Sequence, residues 1–217
     1  HKDQINRTIY EAVHIQKCIR SLQIKSEIIG GIYKSKFKDF NLYKLLEIFN
    51  YKFKKLLKIN IPENCSLYSN EDVFYNIFQN AIKNGIKHGE LNKLIDINIQ
   101  YNNDTDTINI QVINNPGKNH KKIRDLQEEN GENWLFTGDY DLSSLKIGTL
   151  DSTFKGLNDM KLLANAIDAR ISLIFNEDNV VFTLSLPNKI AQCNIQDSVI
   201  IEIPEHNCPE HMCNNQE

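Results

Sequence analysis

The chain has 217 residues, of which 41% are hydrophobic and 24% are charged, and its formal net charge is -3 at pH 7. This length suits one domain with an accessory element, and the composition excludes a disordered or fibrous protein. The slightly negative charge gives no reason to expect a nucleic-acid partner. The sequence contains no run of about 18 apolar residues, so we expect no membrane span within it.

The cysteines and the first residues bear on the cellular setting. Five cysteines at irregular spacing argue against a disulfide framework and favour a reducing compartment. No cleavable signal pattern precedes the first predicted helix. The opening residues, His1-Lys2-Asp3-Gln4, are typical of the inside of a longer protein.

Two helices and two short strands are predicted at the start of the chain. Residues 3–29 place apolar side chains at helical spacing, and Gly30-Gly31 ends this helix. A polar connection over residues 33–40 leads to a second helix over residues 41–57. The two strand candidates on either side of a Pro-Glu-Asn turn are residues 59–61 and 66–68.

The third predicted helix carries the most informative pattern. The capping cluster Ser69-Asn70-Glu71-Asp72 marks its N-terminus. Asn80 and Asn84 are four residues apart and therefore lie one above the other, and Lys87 continues this stripe. The other side of the helix is apolar, with Phe74, Phe78, Ala81 and Gly85.

A buried stripe of amides is unfavourable unless a polar group meets it. A hydrated metal ion together with a polyphosphate would meet it, so the stripe between Asn80 and Lys87 predicts a nucleotide site. The alternative is a solvated helix in a chain rich in asparagine and lysine.

The rest of the chain predicts two antiparallel hairpins and one more helix. Apolar and polar residues alternate over residues 95–101 and 108–112, and again over residues 171–175 and 180–186. A helix over residues 156–167 precedes the second hairpin. This order predicts an α+β protein, a two-layer α/β sandwich whose mixed, largely antiparallel sheet is backed by helices. Hairpin connections exclude a doubly wound fold.

A long polar stretch, residues 118–155, separates the two hairpins. Loops longer than about 12–15 residues are usually functional or disordered. In one interpretation Trp134, Leu135 and Phe136 form an apolar latch on this loop. In the other, residues 123–129 form a short helix and the tryptophan packs on the body of the domain.

The segment from Asp72 to Gly89 resembles the N box of the ATP-binding domain of sensor histidine kinases, which share the Bergerat (GHKL) ATP-binding fold with Hsp90, gyrase and MutL. The order of elements matches that domain over roughly residues 40–188. The resemblance implies that Asn84 holds Mg²⁺, that Asn80 and Lys87 contact the phosphates of ATP, and that His88 lies beside them. A second register, with Asn76 and Asn80 as the pair, fits the distance from Asp72 less well.

Two further motifs of that family are matched in part. Asn114 stands where the family has an aspartate that accepts a hydrogen bond from the adenine amino group, and Gly117 alone remains of the following glycines. An asparagine oxygen still accepts such a bond, although without the charge. A plain turn at the end of a strand explains the same residues.

The second partly matched motif precedes the last helix. Lys155, Gly156 and Leu157 resemble the second glycine box, where a helix N-terminus holds phosphate. Phe154 replaces the first glycine of this box. Asp159 would place a negative charge close to the phosphates.

The resemblance also predicts an organisation and partners. Residues 1–30 would correspond to the second helix of a dimerisation hairpin, residues 40–188 to the ATPase domain, and residues 189–217 to a tail or linker. It implies a homodimer through the N-terminal helical region, a response-regulator receiver domain as partner, and ATP with Mg²⁺ as cofactors. The expected location is cytoplasmic, including the cytoplasmic part of a membrane-bound sensor.

The phosphoryl-accepting histidine of the family would lie upstream of the sequence or be missing. His14 is a substitute, but it lacks the acidic and Arg/Pro residues that follow the reactive histidine, which favours a structural role.

In the tail, residues 198–203 are an edge-strand candidate. The tail also holds His206, Cys208, His211 and Cys213, whose spacing suits a polar linker better than a zinc finger.

Three functions remain open at this point. The first is an ATP-dependent protein-histidine kinase module. The second is a degenerate, pseudokinase-like module used for dimerisation or protein docking without ATP turnover, which Asn114, Phe154 and Asp159 favour. The third is a kinase-like switch that sequesters another protein.

Overall fold

The computed structural model describes residues 2–53, 55–102, 104–132, 134–136 and 151–187. Within these ranges it describes the side chains except those of residues 2–3, 5–7 and 151–155. The predicted strand over residues 198–203, the cysteines and histidines of the tail, and the side chain of Lys155 therefore lie outside the described part.

The described part of the chain contains α-helices, one 3-10 helix and β-strands of four to eight residues. The helices are α1 (Lys2–Ile29), α2 (Leu42–Lys52), α3 (Glu71–His88), α4 (His120–Asn130) and α5 (Asp151–Asn165), with a 3-10 helix at Trp134–Phe136. The strands are β1 (Lys38–Asn41), β2 (Leu57–Asn60), β3 (Ser66–Ser69), β4 (Ile95–Asn102), β5 (Thr107–Asn114), β6 (Arg170–Phe175) and β7 (Val180–Pro187).

The larger sheet has five strands in the order β2-β4-β5-β7-β6, and a second sheet pairs β1 with β3. Among the described strands, β2 and β4 are parallel, whereas every other neighbouring pair is antiparallel. The register places Ile97 opposite Val112 and Ile110 opposite Leu184. Since side chains alternate between the two faces of a strand, this register collects the apolar residues on one face.

Helices cover that apolar face and enclose the core. On α3, Phe74, Phe78 and Ile82 are fully buried, and Leu163 of α5 is buried beside them in the same core. The predicted two-layer α/β sandwich with a mixed, largely antiparallel sheet is confirmed. The two hairpins and the helix over residues 3–29 are also where the sequence predicted them.

Several predicted boundaries were wrong. The second helix ends at Lys52 rather than near residue 57, because Lys55 adopts a left-handed backbone (φ 61°) and the chain then enters β2. The polar connection over residues 33–40 contains the start of β1, which is held by its pairing with β3. The long stretch after β5 contains α4, which confirms the interpretation with a helix over residues 123–129 but extends that helix at both ends. Helix α5 begins at Asp151 rather than near residue 156.

Helix α1 packs on the domain through a mixed polar and apolar face. Ile24 is 1% exposed, and the Lys17 ammonium lies 2.8 Å from Glu71 and 2.7 Å from Asp72 at the start of α3. The opposite face of α1 is apolar and exposed, with Ile9, Ile15, Ile19, Leu22 and Ile29. None of the described helices has the length and apolar character needed to cross a membrane.

Candidate functional site

A cavity of about 680 Å³ opens between the C-terminal half of α3, the end of β5, α4, α5 and the β6–β7 hairpin. Its walls combine an apolar interior with a polar rim. The apolar lining includes Ala81, Val112, Ile123, Leu126, Trp134, Leu135, Leu157, Met160, Leu173, Phe175, Val180 and Phe182. The polar lining includes Asn84, Lys87, His88, Glu90, Asn114, Lys118, Asn119 and His120.

Three of the predicted site residues on helix α3 line this cavity. Its N-terminus is capped by Asn70, whose side-chain oxygen accepts a hydrogen bond from the Val73 amide at 3.1 Å. At its other end Asn84, Lys87 and His88 line the cavity. Asn80, one turn before Asn84, is half-buried and is not among the described residues of the lining.

Glycines let the end of β5 approach the end of α3. A Cβ atom at Gly117 would lie 1.8 Å from the backbone oxygen of His88, and one at Gly89 would lie 2.5 Å from that of Gly85. No real Cβ contact is that short. A glycine at position 117 is therefore required for the loop after β5 to contact the end of α3. The sequence did not predict this contact.

Asn114 lies at this junction and lines the cavity. Its Nδ2 donates a hydrogen bond to the backbone oxygen of Asn115 at 3.0 Å, which orients the amide. The side-chain oxygen then lies on the side of Gly85, 3.4 Å from the position that a Cβ of that residue would take.

Helix α5 forms the inner wall through Leu157 and Met160, which are 2% and 1% exposed. Because α5 begins at Asp151, Gly156 lies in its second turn and not at its N-terminus. Asp159 was expected near the phosphates, but its carboxylate lies 2.5 Å from the ammonium of Lys25 on α1 and is absent from the described lining.

Most residues of the outer wall were not among the site residues predicted from the sequence. Helix α4 contributes His120, Ile123 and Leu126, which follow a helical spacing that was available in the sequence. Trp134 is 6% exposed and lines the cavity beside Leu135. The tryptophan therefore packs on the body of the domain and at the same time forms part of the wall.

Lys87 and His88 are neighbours at the rim of the cavity, but their side chains differ in charge. Burial, and next the positive charge of Lys87, hold the pKa of His88 below its usual value of 6.5. At neutral pH His88 is thus an uncharged imidazole. Lys87 and Lys118 place positive charge at the rim, and Glu90 adds one carboxylate there. Such a rim attracts an anionic group.

His14 lies at the other end of α3. Its imidazole Nδ1 contacts the hydroxyl of Tyr75, and its Nε2 accepts a hydrogen bond from the Lys52 ammonium at 2.5 Å. Tyr75 precedes Asn84 by nine residues of helix, about 14 Å at a rise of 1.5 Å per residue. His14 is therefore half-buried and remote from the cavity, as a structural histidine would be.

No model of a known protein family matches the chain, and no curated protein sequence is significantly similar to it. Solved structures are similar. The histidine kinase AdeS of Acinetobacter baumannii matches with a TM-score of 0.52 and 9% identity, over 86% of this chain and 85% of AdeS. The catalytic domain of histidine kinase ThkA, in a nucleotide-free form, matches with a TM-score of 0.50 and 17% identity, over 70% of this chain and 97% of that domain. The chain has the fold of a histidine-kinase catalytic domain.

A third match places this fold within a larger protein. Full-length ShkA in complex with AMPPNP matches with a TM-score of 0.50 and 11% identity, over 80% of this chain and 36% of ShkA. In the histidine-kinase fold of the present chain, the cavity lies where β5 and α3 meet, beside Asn114 and Asn84. At these low identities the likeness establishes the fold, and the chemistry of the cavity has to be argued from its own residues.

Proposed function

We propose that the chain is the catalytic, ATP-binding module of a sensor histidine kinase, which binds Mg-ATP and passes a phosphoryl group to a histidine. The observation that carries this proposal is the cavity, whose apolar interior ends at a rim with Asn84, Lys87 and His88. A flat heteroaromatic base suits the interior, and a polyphosphate suits the rim. The kinase fold supports the same ligand.

In this proposal the base lies near Asn114, whose side-chain oxygen would accept a hydrogen bond from the adenine amino group. Gly117 would keep the loop beside the base in place, and Leu157 would pack on its face. The phosphates would extend toward Lys87 at the rim of the cavity.

Magnesium fits the donors at the rim. Mg²⁺ prefers oxygen ligands and usually keeps waters and substrate phosphates in its shell. Asn84 offers one amide oxygen to the cavity. The described residues contain no cluster of three or more His, Cys, Asp or Glu side chains that would hold a metal alone. The ion, when bound with the nucleotide, would neutralise phosphate charge.

The chain's own contribution to phosphoryl transfer would be position and charge. Asn84 and Lys87 would align the polyphosphate, and the apolar wall would exclude water from the base. We infer that the acceptor is a histidine other than His14, because His14 is held by Tyr75 and Lys52 far from the cavity.

The proposed setting follows the predicted organisation. Residues 1–30 would serve in a homodimer, residues 40–188 would bind ATP, and residues 189–217 would be a tail. A response-regulator receiver domain would take the phosphoryl group in the cytoplasm, and nucleic acid would not be a partner.

One observation favours the alternative, a pseudokinase module used for docking without ATP turnover. Asn114 is uncharged, and its amide group already donates to the Asn115 oxygen. A neutral acceptor gives a weaker hydrogen bond to an adenine amino group than a carboxylate would.

The decisive experiment is calorimetric titration of the chain with ATP in the presence of Mg²⁺. We expect binding, and we expect Asn84→Ala to weaken it by roughly tenfold or more, since a ligand interaction of about 1.4 kcal/mol is lost. Asn80→Ala, the matched control one turn earlier and outside the lining, should retain most of the affinity. Absence of binding by the wild-type chain would favour the docking module. Equal affinity in wild type and Asn84→Ala would disprove the assignment of Asn84.

A further inference from the structure

The outer wall of the cavity consists of three separate elements. Leu173 and Phe175 come from β6, Ile123 and Leu126 from α4, and Leu135 from the 3-10 helix. Among the described strands, β6 lies at the edge of the five-stranded sheet, so no described strand neighbours one side of its backbone. Free backbone groups on an edge need partners when they are covered.

Gln127 of α4 supplies these partners. Its Nε2 donates a hydrogen bond to the backbone oxygen of Leu173 at 2.8 Å, and its Oε1 accepts one from the amide of Phe175 at 2.8 Å. A neighbouring strand would make the same pair of bonds. The side chain is 6% exposed and lies behind the wall, outside the described lining of the cavity.

The same amide also holds the segment that follows α4. Its Nε2 donates a second hydrogen bond to the backbone oxygen of Glu132 at 3.0 Å. This residue lies in the turn between α4 and the 3-10 helix that carries Trp134. One side chain thus contacts the strand, the helix and the turn that together form the outer wall.

His120 makes a second contact between α4 and the hairpin. It lies seven residues before Gln127 and therefore on the same side of the helix. Its Nε2 donates to the backbone oxygen of Asn176 at 2.5 Å, and its ring lies 5.8 Å from that of Phe175. Ile123, between the two, points to the same side and lines the cavity.

We propose that Gln127 is the positioning residue that fixes the outer wall, and so determines the size and the closure of the cavity. This inference rests on the proposed function for the identity of the ligand, but its geometry does not depend on that ligand. Replacement of the amide by a carboxylate would turn both donor bonds into contacts between oxygen atoms, because a carboxylate only accepts. Helix α4 and the turn that follows it would then separate from β6.

Trp134 provides a direct readout, because it is the single tryptophan of the chain. In Gln127→Glu we expect its fluorescence emission to shift to longer wavelength and its quenching by acrylamide to increase, since the wall opens to water. We expect ATP affinity to fall by roughly tenfold or more, as two hydrogen bonds of a buried group are lost. The matched control is Asn130→Asp, the same change on an exposed side chain of α4 that bonds locally to the Leu126 oxygen.

The pH profile separates positioning from a general loss of stability. A protonated carboxyl has one donor and one acceptor, and so it can remake both bonds to β6. The emission of Gln127→Glu should therefore return toward that of the wild type as the introduced carboxyl is protonated, whereas Asn130→Asp should show no such return. Should Gln127→Glu fail to fold, Gln127→Met keeps the volume without the amide and should show the same opening without the pH dependence.

Each outcome decides the inference. Unchanged emission, quenching and affinity in both Gln127 variants would overturn it. If the wild-type chain binds no ATP, the proposed function fails, and the tryptophan measurements still test the role of Gln127. A loss of affinity with unchanged tryptophan emission would also overturn it, because the wall would not have moved.

Discussion

The glycines near the cavity show how differently the same residue type acts at two positions. Gly117 is in contact with α3, where an added Cβ would overlap the backbone of His88. Gly156 lies inside α5, and a Cβ there would meet no atom of the described residues within 4 Å. Both were predicted from the sequence to bind the nucleotide. In the structure, however, a Cβ atom has no room at position 117, whereas it has room at position 156.

We expect Gly117→Ala to lower the free energy of unfolding by roughly 1–3 kcal/mol, because the loop must move away from α3. Gly156→Ala should raise it by about 0.5–1 kcal/mol, since alanine in a helix interior is favoured over glycine. Urea unfolding of the two variants measures both changes. A stable Gly117→Ala protein with unchanged unfolding would contradict the close approach of the loop.

At the scale of elements, polar contacts of His14 help to attach α1 to the domain. Burial acts first, and the positive charges of Lys52 and Lys83 add to it, so the pKa of His14 lies below its usual value of 6.5. Burial and the charge of Lys83 also lower the pKa of Lys52. Among the described residues, Tyr75 and Cys18 also contact the ring of His14. Protonation of His14 would therefore add a cation beside two others.

This arrangement predicts that α1 loosens in acid. Because the folded protein favours neutral His14, its contribution to stability is fully present above pH 6.5 and is lost as the pH falls below that value. Thermal unfolding measured between about pH 7.5 and pH 5 should show this loss, and His14→Gln should reduce it.

Two other groups must be separated from His14 in that experiment. His88 also has a lowered pKa and contributes in the same direction, so some dependence should remain in His14→Gln. Burial would raise the pKa of Glu71, but its hydrogen bonds with Lys17 and Lys38 outweigh burial and hold that pKa below 4.5. Its contribution is lost only as the pH falls below that value. An identical pH dependence in wild type and His14→Gln would exclude the role of His14.

At the scale of the whole molecule, α1 has two different faces. One packs on α3 through Lys17 and Ile24, and the other exposes apolar side chains to solvent. Ile15, Ile19, Leu22 and Ile29 follow spacings of three, four and seven residues, which is the pattern of a helix-to-helix seam. A second copy of the same helix is a suitable partner for this face.

We therefore expect the chain to self-associate through the outer face of α1. The double variant with Ile19→Glu and Leu22→Glu should weaken association by roughly tenfold or more, because it buries charge in an apolar contact. Sedimentation velocity over a range of concentrations measures this change. Leu94→Glu, a change of the same kind at a 50% exposed site outside α1, should leave association intact. A wild-type chain that remains monomeric at every concentration would contradict the expectation.

The candidate site could be predicted in part because one of its walls is formed by residues that are close together in the sequence. Asn84, Lys87 and His88 lie within five consecutive residues of α3, and their spacing of three and four residues places them on one side of the helix. The outer wall could not be predicted in the same way. Gln127 meets Leu173 only through the packing of α4 on β6, and no pattern near either residue indicates that contact.

The sequence by itself determined the helices, the two hairpins and the two-layer architecture, because periodic burial and capping act over a few neighbouring residues. The sequence did not predict β1, because the four residues of this strand are held by pairing with β3, which lies far from them along the chain. Nor did it determine that Asp159 faces Lys25 of α1 rather than the cavity. Only the tertiary structure decided these points, because each depends on which elements pack together. That packing involves residues far apart in the sequence, so no single segment predicts it.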